Sequence, residues 1–412
     1  LASILNHTLQ VFSLAARNAS RQRRRALLAL LIICGGVIAY LLAGGFIHWI
    51  LLNMREMTIH SQLGHVQVTR PGYFQEGLGD PYNYLLPDDT TVAARAAGDS
   101  ALTVAPRLAF SGLISHGDDT ISFIGEGIDP ALEAPISAAI TIVAGRDLTA
   151  SPGSSVLLGE GLAANLGAGP GDTVVLLATT ASGGINAVEL QVAGIFATIT
   201  KEYDDTVLRT PIAVARELIR VQGATSWVIL LNDTAATDRS IERMRAQLPA
   251  GEFEVIPWHA LADFYNKTVE LFSKQVGVVR LLIALIVILS ISNTLSMAVI
   301  ERTSEIGTSM ALGVRRRGIL ALFIVEGMLL GVVGGVIGVV LGYALGEVVS
   351  LIGIPMPPPP GMARGYIGEI AISPALAMDG FILAFFTTLL AGLAPAWKAS
   401  RMNIVDALRH QR

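Results

Sequence analysis

The chain has 412 residues, of which 52% are hydrophobic and only 15% charged, with a net charge of −4. Soluble domains carry about 25% charged residues, so the charge deficit, concentrated in four apolar runs, points away from an ordinary soluble protein, and no basic stripe interleaved with aromatics points to nucleic acid. Cys34 is the only cysteine, so no disulfide can form within the chain.

In chain order, Leu5, Leu9, Phe12 and Ala16 recur at helical spacing between polar residues. Residues 1–25 therefore read as an amphipathic helix, on the inner membrane face or packed on a partner. Residues 26–52 hold no Lys, Arg, Asp or Glu and are long enough to span a bilayer. This run is too long for a secretory signal and lacks a clear small-residue cleavage site, so it reads as a retained anchor. Leu1 stands where a start methionine would, which leaves the true start open.

Residues 53–275 read as a large α+β domain on the far side. Gly64–Thr69, Ala101–Ile114, Thr120–Gly125, Ser226–Leu231 and Glu252–Ile256 are strand-like, with helices over Thr90–Gly98 and Thr237–Leu248. Between them, about 150–210, Gly and Pro punctuation and β-rich runs predict a smaller inserted β subdomain. From His259 the pattern turns helical, and no Pro or Gly breaks it before Gly277. A stalk over about 259–280 is expected to continue outward from a second span at 276–300.

Residues 301–317, ERTSEIGTSMALGVRRR, are charged and helix-patterned between two apolar runs. Each Arg or Glu costs kilocalories in hydrocarbon, so this segment reads as a loop at a membrane face. Ile306, Met310 and Leu312 are expected to supply apolar contacts, and a short helix here suits a groove on a partner. The third span, 318–346, carries one charge, Glu326, which is read as a structural hydrogen-bonding group ahead of a proton relay. Its glycines form two chains at four-residue spacing, Gly327, Gly331, Gly335 and Gly334, Gly338, Gly342, Gly346, which predicts close helix packing. An outer loop over 347–379 contains Pro357–Pro360, read as a stiff polyproline connector. A fourth span at 380–397 and a tail at 398–412 complete the chain.

Lys and Arg cluster before the first span (Arg17, Arg21, Arg23, Arg24, Arg25), between the second and third (Arg302, Arg315, Arg316, Arg317) and after the fourth (Lys398, Arg401, Arg409, Arg412). The positive-inside rule then predicts cytoplasmic termini and a cytoplasmic 301–317 loop.

Enzyme signatures are missing from the sequence. It has no G-x-x-x-x-G-K-[ST], H-E-x-x-H, C-x-x-C or G-x-S-x-G. Gly159-Glu160-Gly161-Leu162-Ala163-Ala164 matches a dinucleotide fingerprint, but the next turn, GPGD at 169–172, leaves no room for a full βαβ unit. The scattered histidines read as structural rather than metal-binding.

Glu301-Arg302, Glu305-Ile306-Gly307, Ala311-Leu312-Gly313 and Glu326-Gly327, with the tail residues Pro395–Arg401 and Val405–Arg409, resemble the FtsX-like permease family. That family includes lipoprotein-releasing (Lol-type) and macrolide-efflux (MacB-type) ABC permeases, the Lol type being closest in layout. The resemblance implies a four-helix membrane protein with a large α+β extracytoplasmic domain containing a β-rich subdomain. It further implies a second permease copy or a paralogue, two copies of a separate ATPase that hold ATP and Mg, and no cofactor in this chain. A periplasmic carrier or adaptor and membrane lipids are further expected partners. The 301–317 loop becomes the coupling helix, with Arg315–Arg317 substituting for the basic residue the family often has where this chain has Met310. The substrate implied is a lipoprotein or another lipid-like molecule. The alternatives are MacB-type efflux with an adaptor and outer-membrane channel, or FtsX-like activation of a periplasmic hydrolase.

Overall fold

The computed structural model describes residues 23–151, 153–357, 365–403 and 407. The N-terminal segment up to residue 22, most of the polyproline stretch and most of the tail lie outside the described residues. The chain forms two compact units: Leu1–Leu51, Val269–Pro355 and Ile367–Arg412 make one, and Leu52–Thr268 with Met356–Tyr366 the other.

Four long helices dominate the first unit: α1 (Arg23–Thr58), α9 (Asp263–Glu301), α11 (Arg316–Ile352) and α12 (Pro374–Ser400). Each is long and apolar enough to cross a membrane. The short helix α10 (Thr303–Ala311) links α9 to α11. Small residues let these helices pack closely. A Cβ at Gly334, Gly338 or Gly342 would press on Ile33, Val37 or Leu41 of α1, each 2.8 Å away. A Cβ at Gly331 would collide with the Thr388 hydroxyl of α12, and one at Gly335 would lie 3.0 Å from Phe381. Gly327, whose Cβ would lie 3.4 Å from the Thr388 carbonyl, Gly331 and Gly335 thus face α12, Gly334, Gly338 and Gly342 face α1, and Gly346 makes room for Ile370 and Ile372.

The second unit is built on one ten-stranded sheet. Its strands are β1 (Val66–Thr69), β2 (Ala101–His116), β3 (Asp119–Ile128), β4 (Thr141–Gly145), β5 (Ser155–Gly159), β6 (Thr173–Thr179), β7 (Ile185–Ala197), β8 (Val207–Pro211), β9 (Ser226–Leu231) and β10 (Glu254–Pro257). Six of them close on themselves in the order β2, β3, β8, β5, β7, β6 and back to β2. β3 with β8 and β5 with β7 run parallel, and the other pairs in the ring are antiparallel. Leu108, Phe110, Ile114, Phe123, Leu158, Leu176 and Leu190 fill this barrel, capped by helices α4 (Glu160–Leu166) and α6 (Ile212–Ile219). Gly112 lets β6 approach, since a Cβ there would strike the Leu177 carbonyl.

The expected inserted subdomain at about 150–210 is therefore incomplete without β2 and β3. β2 is 16 residues long: Ala101–Arg107 pairs with β9, while Gly112–Ser115 pairs with β6. One strand serves both halves, and the pattern of a single strand cannot reveal two partners so distant in sequence.

The other half packs helices α2 (Thr91–Ala97) and α7 (Thr237–Gln247) over β1, β9 and β10. β9 is buried on both faces: Trp227, Ile229 and Leu231 face that core, while Val228 and Leu230 join Ile59, Ala105, Ile136 and Trp258. The stretch around α9 departs from expectation. The short α8 (Trp258–Leu261) and α9 are separated at Ala262, whose φ of −90° and ψ of 60° are not helical. α5 (Lys201–Asp204) and α3 (Pro130–Glu133) are further short helices of this unit.

Candidate functional site at the α9–α10–α11 loop

The sequence from Glu301 to Arg317 folds into a helix and a tight turn. α10 begins after Arg302, whose φ of −95° and ψ of 13° interrupt α9. It ends at Leu312, and Gly313 takes a φ of +97°, a conformation that favours glycine, before α11 starts at Arg316. Gly313 is therefore required by the turn.

One face of α10 is committed to the protein's own core. Ile306 and Met310 are buried with Val299, Ile319, Phe323, Ala396 and Ala399. Gly307 faces the tail, where a Cβ would sit 2.8 Å from the Ala407 methyl. Ile306 and Met310, expected to offer apolar contacts to a partner, are thus unavailable; their helical spacing with Leu312 said they were apolar but not which way they faced. Leu312 is the one of the three that is free, at 82% exposure, with Val314 beside it at 44%. Glu305, Thr308, Ala311, Gly313, Arg315, Arg316 and Arg317 are exposed around them. The free surface is an apolar tip ringed by one carboxylate and three guanidinium groups.

Two ion pairs brace this surface from behind. Arg302 is buried and its Nη1 donates to Glu326 Oε2 at 3.3 Å, joining the start of the loop to α11. Glu326 thus has a structural partner in the structure, and Arg302 is an inward brace rather than a contact surface. Such a pair in an apolar setting is costly to break, because the survivor is left charged and desolvated. Glu301, partly exposed, accepts a hydrogen bond from Arg25 near the start of α1. Arg25 and Glu326 were not linked to the loop by the sequence, since their partners lie 276 and 24 residues away. The glycine residues Gly327, Gly331, Gly334, Gly335, Gly338 and Gly342 hold α11 against α1 and α12 as described above. Among the described residues no group of three or more His, Cys, Asp or Glu could hold a metal ion.

The comparisons with known proteins follow the same layout. Residues 26–247, more than half of the chain, match the model of the MacB-like periplasmic core domain, and residues 277–404 match the FtsX-like permease C-terminal model. An uncharacterized ABC transporter permease of Methanocaldococcus jannaschii is 27% identical over 54% of this chain and 55% of its own length. The macrolide export ATP-binding/permease protein MacB of Rhodospirillum rubrum is 29% identical over 79% of this chain and 48% of its own length. The pyoverdine export ATP-binding/permease protein PvdT of Pseudomonas fluorescens is 29% identical over 42% of this chain and 24% of its own length. The chain thus spans about half, or less, of the relatives it matches. Among solved structures, the periplasmic region of MacB from Actinobacillus actinomycetemcomitans covers 53% of this chain and 96% of its own, at 16% identity and a TM-score of 0.37. With both domain models matched in order along a four-helix membrane protein with a large α+β periplasmic domain, the chain belongs to the MacB-type, FtsX-like family of ABC transporter permeases.

Proposed function

We propose that this chain is the membrane subunit of an ABC exporter, and that ATP and Mg are held by two copies of a separate ATPase. The chain itself carries no P-loop sequence. The observation that carries the reading is the loop at Leu312–Arg317: an exposed apolar tip with a basic rim, on a helix whose other face is locked into the membrane unit. A surface of this kind is suited to a groove on a partner, and a braced helix passes displacement on rather than absorbing it. In this reading the termini and the loop are cytoplasmic, the membrane is the bacterial inner membrane, and a second permease copy or a paralogue completes the transporter. ATP-driven movement of the loop is passed outward to the periplasmic domain, with no hydrolysis in this chain.

The cargo we propose is an amphiphile taken from the outer leaflet, a lipoprotein or similar lipid-like molecule, handed to a periplasmic carrier. A second reading is efflux of a small molecule through an adaptor and outer-membrane channel, and only its cargo class draws support from the export names of the macrolide and pyoverdine relatives. Tagged purification from native membranes tests both. Co-isolation of an ATPase that is lost in Leu312→Asp supports the coupling reading, and unchanged co-isolation and ATPase stimulation in that variant would remove it. A co-isolated lipoprotein carrier favours the first cargo, and an adaptor protein the second.

A further inference from the structure

The two chain segments that enter the periplasmic domain next to a long helix are held in very different ways. After α1 the chain makes a π-helical turn, Ile59–Leu63, and then Gly64 and β1. A helix end leaves its last carbonyls without partners. Here two of them are taken by arginines from the barrel strands. Arg209 of β8 donates from Nη2 to the Ser61 carbonyl at 3.0 Å, and Arg107 of β2 donates from Nη1 to the Gln62 carbonyl. Both arginines are buried and paired: Arg209 Nε donates to Glu126 Oε2 at 2.9 Å, and Arg107 Nε donates to Glu133 Oε2 at 3.2 Å. Ser137 bridges the two pairs, accepting from Arg209 Nη1 at 2.8 Å and donating to Glu133 at 3.2 Å. Arg209 Nη2 also donates to the Tyr203 hydroxyl at 3.0 Å. One turn earlier, Glu56 accepts from the Thr234 hydroxyl at 3.1 Å, and Thr234 is bonded to His65 Nε2 at 2.9 Å.

The other entry carries no such network. α8 ends at Leu261, and Ala262 breaks the helix before Asp263. Ala262 itself is buried beside Ile59 and Trp258, so the break is anchored. Beyond it, Asp263, Phe264, Asn266 and Lys267 are exposed. The contacts that fold the first turn of α9 back are modest: Tyr265 packs edge-on against Trp258 at 5.1 Å, and Asn266 Nδ2 donates to the His259 carbonyl at 2.7 Å.

We propose that these two entries form a rigid root and a joint: Glu56–Leu63 is fixed to the barrel by the buried arginine–glutamate cluster, while α9 pivots at Ala262. Hinges are a few element-terminal residues that absorb a change in φ and ψ, and Ala262 is already in a non-helical state between two helices. Pulling Ser61 or Gln62 away would strip a desolvated guanidinium of an acceptor, whereas tilting α9 disturbs the partly buried Tyr265, packed on the Ile59–Trp258 cluster, and one amide hydrogen bond, with no buried charge among them. The inference deepens the coupling reading and rests on it for its purpose, but its test does not.

The test uses the full chain in lipid nanodiscs, with Cys34→Ala removing the native thiol. Pulsed electron resonance measures two distances from a common spin label at Arg239→Cys on α7, one to Met57→Cys at the root and one to Lys267→Cys past the joint. The expected result is a distance distribution about twofold broader across the joint than across the root. Tyr265→Ala should broaden the joint further and leave the root unchanged, and Thr234→Ala, a mild change that spares the arginines, should broaden the root alone. Equal widths in the unsubstituted pairs, or a root broader than the joint, would overturn the assignment. Unequal widths that stay the same when the co-purified ATPase and ATP are added would support the joint while refuting the coupling reading.

Discussion

Gly338 offers the sharpest test of how the membrane unit is held together. A Cβ at this position would lie 2.8 Å from Val37 Cβ, 3.1 Å from Val37 Cγ1 and 3.2 Å from Cys34 Cα. Carbon atoms in contact prefer about 3.5–4.0 Å. The nearest of these neighbours is the stem of a β-branched side chain and another is main chain, so neither can rotate away. α1 and α11 must then separate locally by roughly 0.5–1 Å, and overpacking of this kind costs about 1–3 kcal/mol. The intrinsic gain of replacing a helical glycine by alanine, about 1 kcal/mol, works against that cost. Gly338→Ala should therefore come out between neutral and modestly destabilised, and Gly338→Leu clearly destabilised. Gly277 in α9 is the control, because a Cβ there meets nothing within 4 Å. The assay is thermal unfolding in detergent, with the melting temperature of Gly338→Leu expected several degrees below that of Gly277→Leu. Equal melting temperatures for the two leucine variants would refute the packing role of this glycine chain.

Breaking the Arg302–Glu326 pair by Arg302→Met should cost about 3–5 kcal/mol, because Glu326 is left buried and unpaired, and Arg302→Met with Glu326→Leu should recover much of the loss in the same unfolding assay. Recovery no better than the single variant would show that the two side chains do not act as a pair. His65 supplies a pH prediction: burial first, and the neighbouring His60 second, push its pKa down from 6.5 to about 4. Its Nδ1 accepts the Leu231 amide hydrogen at 3.1 Å, which only the unprotonated nitrogen can do. The unfolded chain binds this proton below about pH 6.5 and the folded chain only below about 4, so stability is full above the upper value and falls as pH drops through the window between, by up to about 3 kcal/mol. His65→Gln should flatten that pH dependence in chemical unfolding of the purified protein, and an unchanged slope would remove His65 as its source. At Glu126 burial pushes the carboxyl up, but Arg209 and Arg107 outweigh this and hold it below the ordinary range.

The parts legible in the sequence are those written in local composition. Apolar runs of 18 residues and more, with Glu326 as the one charge among them, mark the membrane helices, and four-residue glycine spacing marks close packing whichever helix is the partner. Direction and distant pairing were hidden. Ile306, Met310 and Leu312 look alike as apolar residues on a short helix, yet two turn inward because Phe323 and Ala396 lie beneath them. β2 reads as one strand, and nothing in its own residues states that its second half closes a barrel with β6. Nothing in the local sequence of Arg107, Glu126, Glu133 and Arg209 states that they meet: the turn after α1 packs over the two arginines, and Arg107, Glu133 and Arg209 are buried while Glu126 is half-buried. The break at Ala262 carries neither Pro nor Gly, so helical propensity runs straight through it.

Labelling of a cysteine placed at Leu312 tests the proposed cytoplasmic placement of the loop most directly, in a Cys34→Ala background and with a maleimide that cannot cross membranes. We expect no labelling in intact cells, full labelling in inside-out vesicles, and protection there by the co-purified ATPase. Rapid labelling from the exterior of intact cells would contradict the placement of this loop and, with it, the coupling role drawn from its exposed tip.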